Sequence, residues 1–463
     1  MGTTEEEWAF ETRQIRAGFK SDPGWGANVP PIAQSAAFVY PSGEDAADRF
    51  MLNAPGHTYS RVNNPSAAAL ERRIADLEGG VGALALASGQ AATTLAVLGV
   101  ARAGDHVVSS ASLYGATYTL FASTLRDLGI AFTFVQDPTD LDEWAAAVRP
   151  ETKAFFGESI PNPRGDVLDF AGVAGVAHEA GVPLIVDNTI ATPYLVRPIE
   201  HGADIVVHSA TKYLAGHGSA VAGLIVDSGN FDWAAFPERF PQLASTEESG
   251  FANTNFASKF GRRAFIQRTR SKLSADLGPA IAPFTAFLVL QGIQTLSLRM
   301  DRHVSNAAAV ASWLDAHDQV LGVHYAGLPS SPWHHLQQRY VPAGPSAVLA
   351  FDLDGGVDAG RRFVAALELF DHVSNIGDVR SLVVHPASTT HVQMTSSERA
   401  AAGVGDGLIR LSIGLEHVDD ILADLARGFA AAASGVSPAT SGVSPATSGV
   451  SPATSGVSPA TSG

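Results

Sequence analysis

The sequence predicts an α/β fold with a mostly parallel, seven-stranded sheet, followed by a smaller C-terminal α+β domain. Between about residues 66 and 230, short apolar runs alternate with segments of helical spacing such as SAAALERRIADLE. This alternation is typical of a parallel sheet that is covered by helices on both faces. After Gly278 the pattern changes to a long helical segment, two further apolar strands with a helix between them, and a final helix, which indicates the second domain.

Seven short runs, rich in apolar and β-branched residues, are the predicted strands of the first sheet. They are ALALA (83–87), HVVS (106–109), AFTFV (131–135), AFFGE (154–158), PLIVD (183–187), DIVVH (204–208) and GLIVD (223–227). Ligand sites in such sheets lie at the carboxyl ends of the strands. The residues that follow these runs are therefore the candidates for a functional site.

We expect four segments along the 463-residue chain, because it is longer than one typical core. Residues 1–65, rich in Pro, Gly and Asn towards their end, form an N-terminal arm; 66–280 form the α/β domain; 281–433 form the α+β domain. Residues 434–463 are four copies of SGVSPAT followed by Ser-Gly. This repeat has no charged or aromatic residue, so we expect it to be disordered.

Composition narrows the possible partners. A formal net charge of -16 disfavours nucleic acid and anionic membranes, and no run of 18 apolar residues is present. With no cysteine and an acidic start, MGTTEEEWAF, the chain is expected to be cytoplasmic. The chain has 15 histidines, but neither His385 with His391 nor His334 with His335 has carboxylates at ligand spacing, so we expect no metal.

Lys212 lies in the stretch DIVVHSATKYLAGHGSA (204–220), where a lysine follows a predicted strand and precedes a glycine-rich loop. The chain has only five lysines among its 30 basic residues, so arginine supplies nearly all of its ordinary surface charge. A lysine at this position is either a solvated loop residue or a nucleophile, a role that arginine cannot fill.

Three groups of polar residues accompany Lys212 at the predicted strand ends. Ser88 and Gly89 begin a helix whose free amide groups suit a phosphate, Asp187 ends the fifth strand, and Ser209 and Thr211 follow the sixth. Considered alone, the Ser88–Gly89 pair would also fit an ordinary helix cap, and Asp187 would also fit a helix or turn cap.

Taken with Lys212, these groups are the parts that a pyridoxal phosphate (PLP) enzyme requires. The lysine forms a Schiff base, the acid keeps the ring nitrogen protonated, and hydroxyl and amide groups hold the phosphate. Tyr114, which follows the second strand, can stack on the ring.

The chain resembles the Cys/Met metabolism PLP-dependent enzymes of fold type I over roughly residues 10–430. The matching motifs are YSRVNNP (59–65), LASGQAA (86–92), LYGATY (113–118), ESIPNPRGDVLD (158–169), VDNTIATPYLVRP (186–198), ADIVVHSATKYLAGHG (203–218) and IRLSIGLEH (409–417). HPASTTH (385–391), LVLQGIQTLSLRMDRH and the length of the body look like the O-acetylhomoserine sulfhydrylase branch. The expected fold is therefore that of a fold type I PLP-dependent transferase, with PLP bound in the 66–280 domain.

The resemblance also implies roles for individual residues. Lys212 would bind the cofactor and later move protons, and Asp187 would pair with the ring nitrogen. Position 90 is methionine in several relatives and glutamine here, so only its backbone contact carries over. The remaining implied cofactor contacts are Tyr114 on the ring face, Asn162 near the ring hydroxyl, and Ser88, Gly89, Gln90, Ser209 and Thr211 around the phosphate, with Tyr59 and Arg61 reaching a neighbouring subunit's phosphate from the arm.

Arg410 and Ser381 are the predicted substrate contacts, with Tyr59. In LIRLSIG the strand period places Arg410 and Ser412 together on one face, away from an apolar face. A guanidinium there can bind a carboxylate with two parallel hydrogen bonds, although a surface strand arginine would give the same pattern. Ser381, in VRSLVVHP, resembles a second carboxylate contact.

The implied activity is replacement of the acetate of O-acetyl-L-homoserine by sulfide or methanethiol, giving homocysteine or methionine in methionine biosynthesis. The implied assembly is a homotetramer of two active dimers. Three alternatives stay open: cystathionine γ-synthase, a γ-lyase, and a PLP-binding protein without catalysis. The motifs leave the donor, acetyl or succinyl, and the physiological thiol undecided.

Overall fold

The structure is a computed structural model, and it describes residues 8–434 except 22, 23, 25, 164, 390, 391 and 393–403. His391 and the repeat tail beyond Ser434 therefore lie outside the described residues.

The larger sheet has seven strands in the order β1-β7-β6-β5-β4-β2-β3. Its strands are β1 (Gly82–Leu86), β2 (His106–Ser110), β3 (Ala131–Val135), β4 (Thr152–Glu158), β5 (Leu184–Asp187), β6 (Ile205–Ser209) and β7 (Gly223–Asp227). Strands β1 to β6 run in the same direction, whereas β7 is antiparallel to both of its neighbours. The predicted mostly parallel sheet of seven strands is confirmed, with strand ends within two residues of those expected.

Helices cover this sheet, form two short segments in the arm and build much of the second half of the chain. They are α1 (Phe10–Arg16), α2 (Gly43–Phe50), α3 (Pro65–Glu78), α4 (Gly89–Val100), α5 (Gly115–Thr119), α6 (Leu141–Ala146), α7 (Phe170–Glu179), α8 (Thr192–Leu195), α9 (Pro241–Ala244), α10 (Phe256–Phe260), α11 (Ala264–Arg268), α12 (Ala275–Leu277), α13 (Pro283–Ile293), α14 (Leu296–Asp315), α15 (His334–Tyr340), α16 (Gly356–Ala366) and α17 (Val418–Ala433).

The second sheet has five strands in the order β10-β11-β12-β9-β8. They are β8 (Val320–His324), β9 (Val348–Leu353), β10 (Asp371–His372), β11 (Leu382–Val384) and β12 (Leu408–Ser412). All pairs are antiparallel except β10 with β11. The sequence pattern indicated β9 and β12 but not β8, β10 or β11, because these strands are short or only partly buried. The four segment boundaries stay a prediction.

Helix α3 begins and ends where its sequence requires. The Asn64 side chain accepts a hydrogen bond from the Ser66 amide, Pro65 occupies the first turn, and Gly79 ends the helix with φ of 81°. These are the residues favoured at a helix start and a left-handed C-cap. The helix packs against β1, so that its last residue, Glu78, is fully buried.

Strand β7 and helix α4 meet at close range at the edge of the sheet where the predicted site residues lie. A Cβ on Gly89 would come within 2.6 Å of the Ser209 Cβ, and one on Gly223 would come within 1.9 Å of the Ser88 carbonyl oxygen. Glycine is therefore required at both positions. This contact places the start of α4 directly beside the end of β6.

Within the part of the chain that the structure describes, no helix is both long enough and apolar enough to span a membrane.

Candidate active site

A cavity of about 260 Å³ lies at the carboxyl ends of β4, β5 and β6, beside the start of α4. Most of the predicted site residues line it: Ser88, Gly89, Gln90, Tyr114, Asn162, Asp187, Ser209, Thr211, Lys212 and Arg410. They come from six separate parts of the chain. The parallel topology explains most of this convergence, because strand ends of one direction share one edge of the sheet.

Lys212 projects into the cavity from the turn after β6. Its Nζ donates a 2.5 Å hydrogen bond to Oδ1 of Asn375. Burial, followed by the nearby positive charge of Arg410, lowers the pKa of Lys212 to about 8. Its amine therefore loses a proton far more readily than that of a solvated lysine, as a nucleophile or base requires.

Asp187 ends β5 and is held by the residue two positions further on. The Thr189 amide donates a 2.9 Å hydrogen bond to Oδ1 of Asp187. Burial raises the pKa of Asp187, while the hydrogen bonds from Thr189 and the electrostatic influence of His208 act against that rise. These contacts offset part of the cost of burying the ionised carboxylate. A cation in the cavity would stabilise the ionised form further.

Glu158 is a cavity residue that sequence reasoning missed, although it ends the predicted strand AFFGE. It lies opposite Asp187 in the β4–β5 register, and its Oε1 accepts a 2.6 Å hydrogen bond from the Tyr114 amide. Burial and the neighbouring Asp187 raise the pKa of Glu158 well above its usual value. Glu158 therefore fixes the backbone at Tyr114, whose half-exposed ring lines the cavity.

The start of α4 offers free backbone donors to the cavity. Ser88 is the N-cap, and its Oγ accepts a hydrogen bond from the Ala91 amide at 3.1 Å. The first amides of any helix lack partners within the helix, and those of Gly89 and Gln90 occupy these positions in α4. Ser88 can therefore cap the helix and also belong to an anion site, so its two predicted roles are compatible.

Two hydroxyl residues complete this side of the cavity. The Ser209 amide donates a 2.7 Å hydrogen bond to Oγ1 of Thr189. Oγ1 of Thr211 accepts a hydrogen bond from the Ala222 amide at 3.1 Å and lies 3.3 Å from its carbonyl oxygen. Together with the α4 amides, these residues form a donor-rich pocket that suits an anion.

Arg410 enters the cavity from β12 of the second sheet and is 8% exposed, so it is not a surface strand arginine. Its Nη2 donates a 2.9 Å hydrogen bond to the backbone oxygen of Asn375, and its buried Nε has no partner among the described residues. Burial lowers its pKa to about 10. A buried guanidinium that lines a cavity can bind a carboxylate.

Asn375 is the second cavity residue that sequence reasoning missed. It lies in the loop between β10 and β11, which no periodic pattern marks. Its side chain contacts Lys212 and its backbone contacts Arg410, so it links the two basic residues.

Three predicted site residues do not line this cavity. Ser381 is fully buried, and its amide and Oγ both donate to the carboxylate of Glu416, at 2.7 and 2.9 Å. The structure thus places Ser381 in a structural contact, and Asn375 occupies the position beside Arg410 instead. Tyr59 and Arg61 lie in the arm, where the Arg61 guanidinium is 5.6 Å from the Tyr59 ring and donates to the Ala275 oxygen.

No group of three or more His, Cys, Asp or Glu side chains suited to a metal ion occurs within the described residues. His385 is fully buried and binds Ser388 and the Asp406 carbonyl.

Comparison with known proteins places these observations in a family. Residues 11–430 match the Cys/Met metabolism PLP-dependent enzyme family. An O-acetyl-L-homoserine sulfhydrylase of Corynebacterium glutamicum is 49% identical over 429 residues, which cover 92% of this chain and 98% of that protein. A homocysteine synthase of Schizosaccharomyces pombe is 46% identical over 426 residues, covering 91% and 98%.

A solved structure is similar over the same region. It is a putative O-acetylhomoserine (thiol)-lyase from Campylobacter jejuni with N'-pyridoxyl-lysine-5'-monophosphate, with a TM-score of 0.87 and 35% identity. The match covers 91% of this chain and all of that chain. On the extent of these matches, the chain belongs to the Cys/Met metabolism PLP-dependent enzyme family.

Proposed function

We propose that this enzyme replaces the acetate of O-acetyl-L-homoserine with sulfide, giving L-homocysteine and acetate in methionine biosynthesis. The Cγ–O bond breaks, the Cγ–S bond forms, and no oxidant or reductant is needed. The observation that carries the proposal is the convergence of Lys212, Asp187 and Arg410 in one cavity, in a chain that matches sulfhydrylases along nearly their whole length.

The cavity residues fit pyridoxal phosphate, the cofactor of the family. When bound, this cofactor supplies an electron-accepting ring that stabilises negative charge on substrate carbons. The α4 amides, Ser209 and Thr211 would hold its phosphate, and Gly89 leaves room that any side chain would fill. Oδ1 of Asn162 is buried without a partner among the described residues, which supports a polar contact from the cofactor.

Two further residues would contact the cofactor ring. Asp187 would bind the protonated ring nitrogen, and Tyr114, held by Glu158, would lie against the ring face. A carboxylate whose burial is unfavourable gains stability from such a cation.

Lys212 would hold the cofactor and then act as the base and acid of the reaction. Its Nζ would take protons from Cα and Cβ of the substrate and return them after the sulfur has been added. The lowered pKa suits this role, because a base works best when its pKa lies near the working pH. Asn375 would receive the amine whenever Lys212 is free.

Arg410 would bind the α-carboxylate of the substrate through its guanidinium, which lines the cavity. The contact with the Asn375 backbone already fixes one side of the guanidinium. The substrate carboxylate would thus be placed next to the Lys212 amine, which orients Cα towards the base.

Product analysis tests the proposed reaction. The purified enzyme with pyridoxal phosphate is incubated with O-acetyl-L-homoserine and sulfide, cysteine or no thiol, and products are identified by mass. We expect homocysteine with sulfide and little cystathionine with cysteine; a parallel series with O-succinyl-L-homoserine identifies the donor. Mainly cystathionine, or 2-oxobutyrate without a thiol, would instead identify a cystathionine γ-synthase or a γ-lyase. Cofactor binding without any product would identify a non-catalytic protein.

We also propose a cytoplasmic homotetramer of two active dimers, in which the arm of residues 1–65 crosses to the neighbouring subunit. Large apolar side chains are exposed in this arm, including Val39 (94%) and Phe50 (62%). Tyr59 and Arg61 lie outside the cavity of their own chain, which supports a role in the cavity of a second copy. Exposed apolar side chains of this size are typical of protein interfaces.

Replacing Arg61 with alanine is expected to weaken cofactor binding by roughly 10-fold or more, because a charge-assisted hydrogen bond to the phosphate is lost. The measurement is titration of the cofactor-free protein with pyridoxal phosphate, with thermal unfolding as a check on the fold. Arg361→Ala, an exposed arginine of α16, is the matched control. Unchanged cofactor affinity in Arg61→Ala would count against the shared site.

A further inference from the structure

The turn that carries Lys212 is bound by a buried arginine of α14. Arg299 lies in the first turn of this helix and is 5% exposed. Its Nη1 donates a 2.7 Å hydrogen bond to the Tyr213 carbonyl, and its Nη2 makes a longer contact of 3.5 Å with the Leu214 carbonyl. Both of these carbonyls directly follow Lys212 in the chain. Arg299 does not line the cavity, and the reaction described above does not use it.

The same guanidinium also binds the end of α13. Its Nη2 donates a 2.7 Å hydrogen bond to the Gly292 carbonyl. The end of α13 and the turn are in direct contact, because a Cβ on Gly292 would lie 2.3 Å from the Ala215 carbonyl oxygen. A Cβ on Gly216 would lie 2.2 Å from Nη1 of Arg299. Glycine is therefore required at both positions, and the guanidinium is enclosed between two backbone segments.

The partners of Arg299 are backbone and hydroxyl oxygens, which carry no full charge. Within the described residues, its hydrogen bonds go to three carbonyl oxygens and to the hydroxyl of Thr295. Burial lowers the pKa of Arg299 to about 10, because the charged form is removed from water. A charge at this depth is costly. What a planar guanidinium offers in return is several donors in one fixed geometry, which suits the accurate placement of a backbone turn.

Two further residues on the same face of α14 hold the segment after β12. His303 and Asn306 are buried and lie four and seven positions after Arg299, which places all three on one side of the helix. Nδ1 of His303 lies 2.7 Å from the Ile413 carbonyl oxygen, and Nδ2 of Asn306 donates to the Gly414 carbonyl at 3.0 Å. Strand β12 carries the buried arginine of the cavity. One helix therefore holds both the lysine turn and the arginine strand.

We propose that Arg299 is a positioning residue that holds the Lys212 amine at the reacting carbons of the substrate. This inference rests on the proposed role of Lys212 as base and acid. The guanidinium fixes the backbone directly after Lys212, and α14 places that backbone relative to Arg410, where the substrate carboxylate would lie. The distance from the amine to Cα and Cβ thus depends on a residue that contacts neither substrate nor cofactor.

The test is Arg299→Met, which keeps a long side chain and removes every donor. We expect kcat to fall by roughly 100-fold, because a shift of a reacting group by about 1 Å has an effect of that order. KM should stay close to that of the wild type, since Arg410 is unchanged. Steady-state kinetics with O-acetyl-L-homoserine and sulfide measure both, with rates expressed per bound cofactor. Lower thermal stability with an unchanged kcat per bound cofactor would show a purely structural role and overturn the inference.

Attachment of the cofactor gives a second readout that needs no turnover. Pyridoxal phosphate is added to the full-length, cofactor-free protein, and the absorption band of the lysine-bound form is followed over time. In Arg299→Met we expect this band to appear roughly 10-fold more slowly or less, because the Lys212 amine is displaced. The amount finally bound should be unchanged, since the α4 amides, Ser209 and Thr211 are intact. A wild-type rate would show that the amine is correctly placed without Arg299, which contradicts the inference.

Arg73→Met is the matched control. Arg73 is 2% exposed, burial lowers its pKa to about 10, and its guanidinium donates to the backbone oxygens of Gln14 and Ala17, away from the cavity. We expect this variant to lose thermal stability but to keep the wild-type kcat and the wild-type rate of cofactor attachment. Equal losses in both variants would show a general effect of removing a buried arginine, and the inference would fail.

Arg299→Lys provides a second variant if Arg299→Met does not fold. Lysine keeps the charge but cannot hold the Tyr213 and Gly292 oxygens together in the fixed geometry of a guanidinium. We expect a kcat between those of the wild type and Arg299→Met. A full wild-type kcat and attachment rate in Arg299→Lys would overturn the positioning role while leaving the proposed function intact. A wild-type protein that takes up no pyridoxal phosphate would overturn the proposed function and this inference with it.

Discussion

Lys212→Ala is expected to abolish turnover and the absorption band of lysine-bound pyridoxal phosphate. Alanine cannot attach the cofactor, and no proton acceptor is then left at the position of Nζ. General acid–base catalysis by a positioned group contributes roughly 10²- to 10⁴-fold, so we expect the rate to fall by about three orders of magnitude or more. Absorbance spectra of the purified variant and homocysteine formation from O-acetyl-L-homoserine measure the two effects.

Lys153→Ala is the control for this variant. Lys153 is also partly buried, with its Nζ donating to the Arg239 carbonyl at 2.7 Å and lying 3.5 Å from Asp105, outside the cavity. We expect it to keep both the absorption band and the activity. If Lys212→Ala retained either of them, Lys212 could not be the residue that binds the cofactor.

Arg410→Ala is expected to reduce kcat/KM by roughly 100-fold, mainly through KM, because the substrate carboxylate loses a buried, charge-assisted contact. The same change should alter the pH profile. The positive charge of Arg410 lowers the pKa of Lys212, so its removal raises that pKa. Lys212 is a free amine only after the substrate has displaced it from the cofactor, so its basic form then appears at higher pH and the acidic limb of the kcat profile moves to higher pH.

Arg410→Lys separates these two effects. Lysine keeps the positive charge, so the acidic limb should stay close to that of the wild type, but it cannot form two parallel hydrogen bonds with a carboxylate. We therefore expect a KM between those of wild type and Arg410→Ala. Steady-state kinetics across pH measure both quantities, and a wild-type KM in Arg410→Ala would exclude the proposed carboxylate contact.

Ser381 and Asn375 show where sequence reasoning reached its limit. Both lie in the segment between β10 and β11, a region without a regular pattern. The path of the loop decides which side chain faces the cavity. That path depends on close packing of the loop against the turn at Lys212, where a Cβ on Gly377 would lie only 2.8 Å from the Tyr213 amide nitrogen. Short loops of this kind carry no periodicity from which a facing residue could be predicted.

Glu158 illustrates a different limit. It ends a predicted strand, as Asp187 does, and the strand ends alone did not distinguish the two carboxylates. Their different partners, the Tyr114 amide and the Thr189 amide, became visible only with the β4–β5 register.

The sequence by itself determined the seven strands, their mostly parallel arrangement and the set of polar residues at their ends. It could do so because apolar alternation is local, and because parallel strands bring their carboxyl ends to one edge of the sheet. Only the tertiary structure decided which groups touch: Asn375 with Lys212 and Arg410, and Glu78 with His208 and Asn188. These contacts join residues 35 to 163 positions apart, and such pairing depends on how whole elements pack rather than on any local pattern.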